Sequence, residues 1–348
     1  MNEQLTAFLR QLWPEAESIV VEQFEAIPGG YSRETYRFDA RIRRRDGEER
    51  LPLILRKDPP AAAALLPSDR RSEHELLEAV RAKTSVPVSQ SYGYEMDPAV
   101  FGEPAMVIER MPGSGQTSAM FNGGPDADQA EAVSTHLCEL IAGLHLQDID
   151  TLGVRGLLGD PRHVGIDTSS WDAYMDSTYE YYIRGYYEHD FDPNPVFMDA
   201  YLTLRRKKPR PLRLSVVHGD FNPANFLYKD GRVSALIDWE NSRIGDPRED
   251  IGWLQTMDLV SNTQIMSSVK KEGGFLGYYN KLTGFNVTQE ELNYFTLFGT
   301  CNLAIPVLAA IKRRVTKQHM ELPHLYMLQS SYPNAVNFGR MLGYSGLS

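Results

Sequence analysis

Cysteine is almost missing from this chain: Cys138 and Cys301 are the only two in 348 residues, both in apolar, helix-like surroundings. A disulfide framework is thereby excluded, and the pair reads as buried thiols kept in a reducing cytosol. Long hydrophobic runs are missing too. No uninterrupted apolar stretch reaches the roughly 20 residues of a membrane span, so no membrane partner is expected. The opening MNEQLTAFLRQLW has neither a basic start nor a cleavage site, does not read as a signal peptide, and leaves a cytoplasmic location as the expectation. Positive charge is in deficit, with 36 Lys and Arg against 46 Asp and Glu and a net charge of −10. A broad phosphate-binding face is disfavoured, so nucleic acid is not an expected partner. A cationic small molecule is compatible with that balance, although net charge says little about one pocket. No internal repeat is present.

What the chain does have is length and apolar content. Its 348 residues are enough for two lobes or domains rather than one, and 42% hydrophobic residues allow a sizeable buried core. Its most informative stretch is VVHGDFNPANFLYKDGRVSALIDWENSRIGDPRED, from Val216 to Asp250. The apolar runs FLY and VSALI flank Asp230-Gly231 and predict a β-hairpin. A hairpin returns its ends to each other, so Asn225 before the first strand and Asp238 after the second should lie side by side. Asp220 sits on the loop that feeds them. Two carboxylates and an amide oxygen at converging loop ends suit a hard cation such as Mg²⁺. A metallohydrolase using His218, Asp220, Asp238 and Asp246 is the competing metal reading, but no second His stands at ligand spacing.

HGDFNPAN followed by IDWE resembles the catalytic segment of the aminoglycoside phosphotransferase and choline kinase-like family, small-molecule relatives of protein kinases. The order matches the kinase pattern H-R-D-x-x-x-x-N followed by D-F-G, with Gly219 for Arg and Asp238-Trp239-Glu240 for D-F-G. The resemblance implies an α+β, two-lobed protein-kinase-like fold, with a sheet-rich N-lobe over 1–110 and a helical C-lobe over 111–348. It implies ATP and Mg²⁺, Asp220 as the base, and Asn225 and Asp238 as the metal ligands. His218 then reads as loop scaffold, and Asp246 and Asp250 as loop-fixing acids, one of them capping the next helix.

GGYSRETY resembles the family's phosphate-covering hairpin, which would bring the backbone of Gly29, Gly30 and Ser32 to the nucleotide. In LPLILRKDPP, the alternation of Leu51, Leu53 and Leu55 marks a strand. Arg56 is the candidate for its phosphate-binding cation, with Lys57 second. The following helix, SDRRSEHELLEAVRA, starts at a Ser68 or Asp69 cap. It offers Glu73 as the partner of that cation, with Glu75 as rival. PAMVIERMPG resembles the hinge between lobes, where backbone groups near Glu109 and Met111 would meet the base.

Helical spacing predicts a capping helix over residues 2–13 and a core helix over 126–146. His136 and His145 belong to the latter, and His145 would bond backbone. The Tyr-rich stretch over 168–209 is expected either to wall an acceptor pocket, as in the family, or to pack as amphipathic helix; the pattern allows both. Strong apolar periodicity after Asp250 predicts helices down to the tail around residues 319–342.

ILRKDPP, SEHELLEAV, VPVSQSYGY and VIERMPG place the chain nearest the subgroup similar to the kinase-like domain attached to some acyl-CoA dehydrogenases. The expected activity is ATP- and Mg²⁺-dependent phosphorylation of a small-molecule hydroxyl, with a hydroxyacyl thioester as the first acceptor reading. The alternatives are an aminoglycoside or macrolide kinase, and a pseudokinase that binds nucleotide without turnover. Acids at Glu180, Glu188, Asp190 and Asp192 would suit an aminoglycoside. Cations at Arg205, Arg206, Lys207 and Lys208 would suit a CoA thioester.

Overall fold

The recurrence of Leu5, Phe8 and Leu9 on one helical face produces α1, Asn2–Leu12, and all three side chains are buried. α1 covers one face of an antiparallel five-stranded sheet, in a computed structural model that describes residues 1–27, 34–59, 69–158, 165–188, 194–261, 263–316 and 342–343. The strands are β1 (Ser18–Ala26), β2 (Glu34–Arg44), β3 (Gly47–Lys57), β4 (Ser91–Glu95) and β5 (Ala105–Glu109), in the spatial order β1-β2-β3-β5-β4. Helix α2 (Arg70–Lys83) and the short α3 (Pro98–Phe101) connect them.

Period-two patterning decides which face each residue takes. Phe38, Ala40, Ile42, Leu53 and Leu55 join α1 in one core. Met106 and Ile108 of β5 join Leu76, Leu77 and Val80 of α2 in another, with Ile54 packed against it. Arg56 alternates with Leu55 and so points to the α2 side. α2 begins at Asp69, whose carboxylate accepts from the Arg71 N–H, so Asp69 rather than Ser68 is the cap.

The described chain beyond Met111 is mostly helical. Its helices are α4 (Ala130–His145), α5 (Ile149–Leu152), α6 (Arg155–Leu158), α7 (Trp171–Glu188) and α8 (Pro195–Arg206). After short strands β6 (Ser215–Val217), β7 (Phe226–Lys229), β8 (Arg232–Leu236) and β9 (Arg243–Gly245) come α9 (Arg248–Ser261), α10 (Ile265–Ser268), α11 (Gly274–Thr283) and α12 (Gln289–Thr316). α4 starts at Ala130 rather than 126, because Ala127–Gln129 winds as a tighter 3₁₀ turn first. The 319–342 tail expected to be helical lies outside the described residues, apart from Leu342. The whole is the expected α+β, two-lobed protein-kinase-like fold: a sheet-rich N-lobe of β1 to β5 and a helical C-lobe. Among the described residues no helix is long and apolar enough to cross a membrane.

Candidate active site

The catalytic-loop candidates are positioned by two small antiparallel pairs, β6 with β9 and β7 with β8. Asp230 (φ 51°) and Gly231 (φ 73°) form the tip of the second pair, both left-handed as a tight hairpin turn demands. Phe226 pairs with Leu236, and the Ile237 N–H donates to the Asn225 carbonyl at 3.0 Å. The hairpin therefore brings Asn225 and Asp238 to the same end, as its pattern predicts.

His218 follows β6 and is fully buried. Its Nε2–H donates to the Ile237 carbonyl at 2.9 Å, tying the loop to the end of β8, so it is scaffold. Gly219 has φ 80°, and a Cβ there would lie 2.1 Å from the Asn241 carbonyl oxygen. No side chain fits, which is the physical reason a Gly stands where kinases have Arg. The His218 and Gly219 N–H groups donate to Asp250 at 2.7 and 2.9 Å. Asp250 also receives His145 Nε2 at 3.1 Å, and His145 Nδ1 meets the Tyr279 hydroxyl at 2.8 Å. His145 thus bonds side chains rather than backbone. Burial works to raise the Asp250 carboxyl, but His145, His218 and the Gly219 N–H together outweigh it and hold it below the usual range. Asp246 accepts from the Arg248 N–H at 2.9 Å at the start of α9, so one acid fixes the loop and the other caps the helix.

Asp220 is half-buried. Its Oδ1 accepts from Asn222 Nδ2 at 2.7 Å and Trp253 Nε1 at 2.8 Å, and its Oδ2 from Asn225 Nδ2 at 2.8 Å. No Lys or Arg pairs with it among the described residues. Burial raises its pKa against these N–H donors, and the nearby Asp238 adds to the rise. The Asn225 amide nitrogen also bonds the Asp220 carbonyl at 2.9 Å, so its oxygen is the atom not engaged by Asp220. Asp238 sits at φ 68°, a left-handed conformation that Asp tolerates better than most side chains.

Arg56, not Lys57, reaches α2: its Nη1 lies 3.0 Å from Glu73 Oε1, and Nη2 contacts Asp238 and, at 3.4 Å, Glu240. Lys57 pairs with Glu34 at 2.7 Å, and Glu75 pairs with Arg71 at 2.9 Å, away from the cleft. The second oxygen of Glu73 is held at 2.6 Å by the buried Arg70, which also contacts Asp58. This chain sets two guanidinium groups against four carboxylates, an excess of negative charge that a divalent cation would balance. The Asp238 carboxylate and the Asn225 oxygen are hard donors of the kind Mg²⁺ takes alongside phosphate oxygens. The metallohydrolase set fits worse. Both Asp246 oxygens are occupied by Arg248 and by Trp171 Nε1, and both His218 nitrogens by backbone.

Gly29, Gly30 and Ser32 lie outside the described residues, between β1 and β2. The Glu109 N–H is committed to Gln90 O at 2.8 Å and the Arg110 N–H to Pro52 O at 2.9 Å. The Met111 N–H has no partner among the described residues. Just beyond, Ser114 and Tyr228 exchange both backbone bonds, at 2.9 and 3.0 Å, laying this segment on the catalytic hairpin.

Packing claims most of the Tyr-rich insertion. Trp171, Tyr174, Tyr179, Tyr186 and Tyr201 are buried in a core shared by α7, α8 and α12. The Tyr174 hydroxyl donates to Glu249 at 2.6 Å, and Tyr186 stacks on Phe197 at 5.0 Å. Tyr182 is half-buried and Tyr187 is exposed, so the expected acceptor wall shrinks to a few of its aromatics. Asp190 and Asp192 lie outside the described residues. Sequence reasoning missed Trp253, Asn222 and Arg70. Asn222, two residues after Asp220, carries a readable signal, since it closes an Asx turn onto the Ala224 N–H at 2.7 Å. Trp253 and Arg70 look like ordinary helix residues until the chain folds.

Among curated proteins the chain is 26% identical over 227 residues to an acyl-CoA dehydrogenase of Arabidopsis thaliana, covering 63% of this chain and 26% of that one. The match spans only about a quarter of that relative's length. Among solved structures, one described as an aminoglycoside phosphotransferase from Ralstonia eutropha superposes with a TM-score of 0.71 at 21% identity, over 98% of each chain. A macrolide 2′-phosphotransferase of Brachybacterium faecium superposes at 0.55 with 15% identity, over 96% of this chain and 98% of that one. These two likenesses bear on fold. The model of the phosphotransferase enzyme family matches residues 23–280, about three quarters of the sequence, and on that extent the chain belongs to the phosphotransferase enzyme family.

Proposed function

We propose that this protein transfers the γ-phosphoryl group of ATP to a hydroxyl of a small molecule, with Asp220 as the base. The observation that carries the reading is the state of Asp220. It is oriented by N–H donors on both oxygens, has no Lys or Arg partner among the described residues, and is tied by the Asn225 amide to the candidate metal-ligand side of the site. The acceptor O–H proton passes to Asp220 as its oxygen bonds the γ-phosphorus and the bond from phosphorus to ADP breaks. Arg56, kept extended by Glu73, binds the α- and β-phosphates. Backbone of Gly29, Gly30 and Ser32 would cover the phosphates, and backbone at Glu109 and Met111 would meet the adenine. Asn225 and Asp238 would hold Mg²⁺, which would supply neutralisation of the phosphate charge when bound.

For the acceptor, an aminoglycoside- or macrolide-like polyol moves ahead of the hydroxyacyl thioester. The solved structures this chain resembles are described as kinases of such antibiotics. The cations that would greet a CoA thioester are also partly engaged: Lys208 lies 2.9 Å from Asp176 and 3.2 Å from Asp172, and Arg206 lies 3.7 Å from Asp199. Glu180 is exposed on α7 and available to an amine. The thioester remains the second reading because the curated relatives are acyl-CoA dehydrogenases. ADP release by purified protein against aminoglycosides, macrolides and hydroxyacyl-CoA thioesters decides between them. Release stimulated only by the thioesters overturns the polyol reading. Nucleotide binding without release from any of them returns the pseudokinase. Asp220→Asn should lower kcat by about 10²–10⁴-fold and leave nucleotide affinity near that of the parent. A variant with the parent's kcat would remove the base assignment.

A further inference from the structure

Trp253 lies on α9, one helical turn beyond the loop-anchoring Asp250, and nothing in the phosphoryl-transfer scheme calls for it. Its indole N–H nevertheless ends 2.8 Å from Asp220 Oδ1. The same oxygen takes Asn222 Nδ2 at 2.7 Å, whereas Oδ2 takes a single donor, Asn225 Nδ2 at 2.8 Å. A carboxylate oxygen has two lone pairs, so Oδ1 is saturated and Oδ2 keeps one lone pair unused. The indole is also fixed from behind. A Cβ at Gly299 of α12 would lie 3.4 Å from Trp253 Cε3, so the ring rests on α12 where that helix has no side chain. Asn222 is braced too, by the turn it closes onto the Ala224 N–H at 2.7 Å. Both donors to Oδ1 are therefore immobilised by contacts of their own, which is what holding a reacting group in place requires.

We propose that Trp253 is a positioning residue for the Asp220 base: with Asn222 it locks Oδ1, sets the rotation of the carboxylate, and presents the open lone pair of Oδ2 to the acceptor hydroxyl. The inference rests on the reading of Asp220 as the base. In the transfer step the proton leaves the acceptor hydroxyl for Oδ2, the acceptor oxygen bonds the γ-phosphorus, and ADP departs with the electron pair of the broken bond. Losing the indole N–H frees the carboxylate to rotate, and misplacement of a reacting group by about 1 Å costs on the order of 100-fold. Nucleotide contacts are not involved, so the defect belongs in kcat.

The test pairs kinetics with a spectroscopic readout. ADP release is measured with saturating ATP and either kanamycin or water as the phosphoryl acceptor, whichever turns over faster. Trp253→Phe keeps most of the ring and should lower kcat about 10- to 100-fold with the KM for ATP unchanged. Separately, the four tryptophan indole N–H resonances are assigned by nitrogen-labelled NMR of the full chain. The Trp253 signal should stand downfield, as a bond to a charged carboxylate requires, and move upfield in Asp220→Asn. An indole signal indifferent to Asp220→Asn, or a Trp253→Phe protein with the parent's kcat, overturns the proposal. If Trp253→Phe does not fold, the indole shift decides alone. Asp220→Asn with undiminished turnover sinks the base reading even if the indole responds. An inactive Asp220→Asn beside a fully active Trp253→Phe sinks only the positioning role.

Discussion

At the scale of single residues, the catalytic loop depends on groups that carry no chemistry. Gly219 is one. Its left-handed backbone and its closeness to the Asn241 carbonyl mean that Gly219→Ala meets strain and collision together. The conformational part alone costs about 1–2 kcal/mol. We expect a lower Tm and a large loss of turnover, read by thermal melts and ADP release, whereas Gly231→Ala at the hairpin tip, with only Ala132 Cβ near at 3.7 Å, should lose less. Asp250 is the other. Its carboxyl is held below the usual range, so the folded state favours the charged form. The stabilisation is present above the unfolded value, about 4, and is lost as pH falls through the lowered folded value. Asp250→Asn should be destabilised by about 1–3 kcal/mol at neutral pH, because it no longer serves the His218 and Gly219 N–H groups with a charged acceptor. The gap between variant and parent should narrow below about pH 4 in denaturant melts.

At the scale of elements, the register of β3 against its neighbours decides which cation enters the cleft. Arg56 pairs with Thr35 across β2 and with Met106 across β5, and its side chain turns toward α2. Lys57 takes the opposite face and finds Glu34. Arg56→Ala should therefore raise the nucleotide KM far more than Lys57→Ala. Arg56→Lys should recover only part of the loss, because a point charge cannot fork to Glu73 and a phosphate at once. Glu73→Gln should act like Arg56→Lys, and Glu75→Gln should be close to neutral, as expected of an exposed pair worth well under about 1 kcal/mol. Steady-state KM and kcat for the five variants check the order; equal effects of Arg56→Ala and Lys57→Ala would contradict it. The insertion teaches the reverse lesson. Its tyrosines alternate with acids in a way that suits a pocket, yet α7 and α8 bury most of them against α12.

At the scale of the molecule, the two lobes meet through Arg56 and Asp238, and the chain of ion pairs behind them carries excess negative charge. In the proposed reading, a nucleotide with Mg²⁺ would bind across that junction and stabilise both lobes at once. Saturating ATP and Mg²⁺, at about 100 times the dissociation constant, should add about 2.7 kcal/mol to the folded state. The accompanying rise in Tm should largely vanish in Asp238→Ala or with chelator, as scanning calorimetry would show.

Much of this was determined by sequence alone, wherever a residue's environment is set by near neighbours. The Asp-Gly tip and the apolar runs around it specify the β7–β8 hairpin, and that hairpin brings Asn225 and Asp238 to one end. Period-two alternation on β3 directs Arg56 and Lys57 to opposite faces, and helical spacing sets the buried faces of α1, α2 and α4. The tertiary structure decided what depends on contacts distant in the chain. Arg56 met Glu73 rather than Glu75 because α2 turns that face to the sheet. The His145 ring chose Asp250 and Tyr279, 105 and 134 residues away, over the backbone it was expected to bond. Trp253 became a partner of Asp220 only because the start of α9 is tied by Asp250 to the catalytic loop and the indole is backed by α12. Local pattern fixes which side of an element a residue takes; what it meets there depends on how the elements pack, and no spacing in the sequence encodes that.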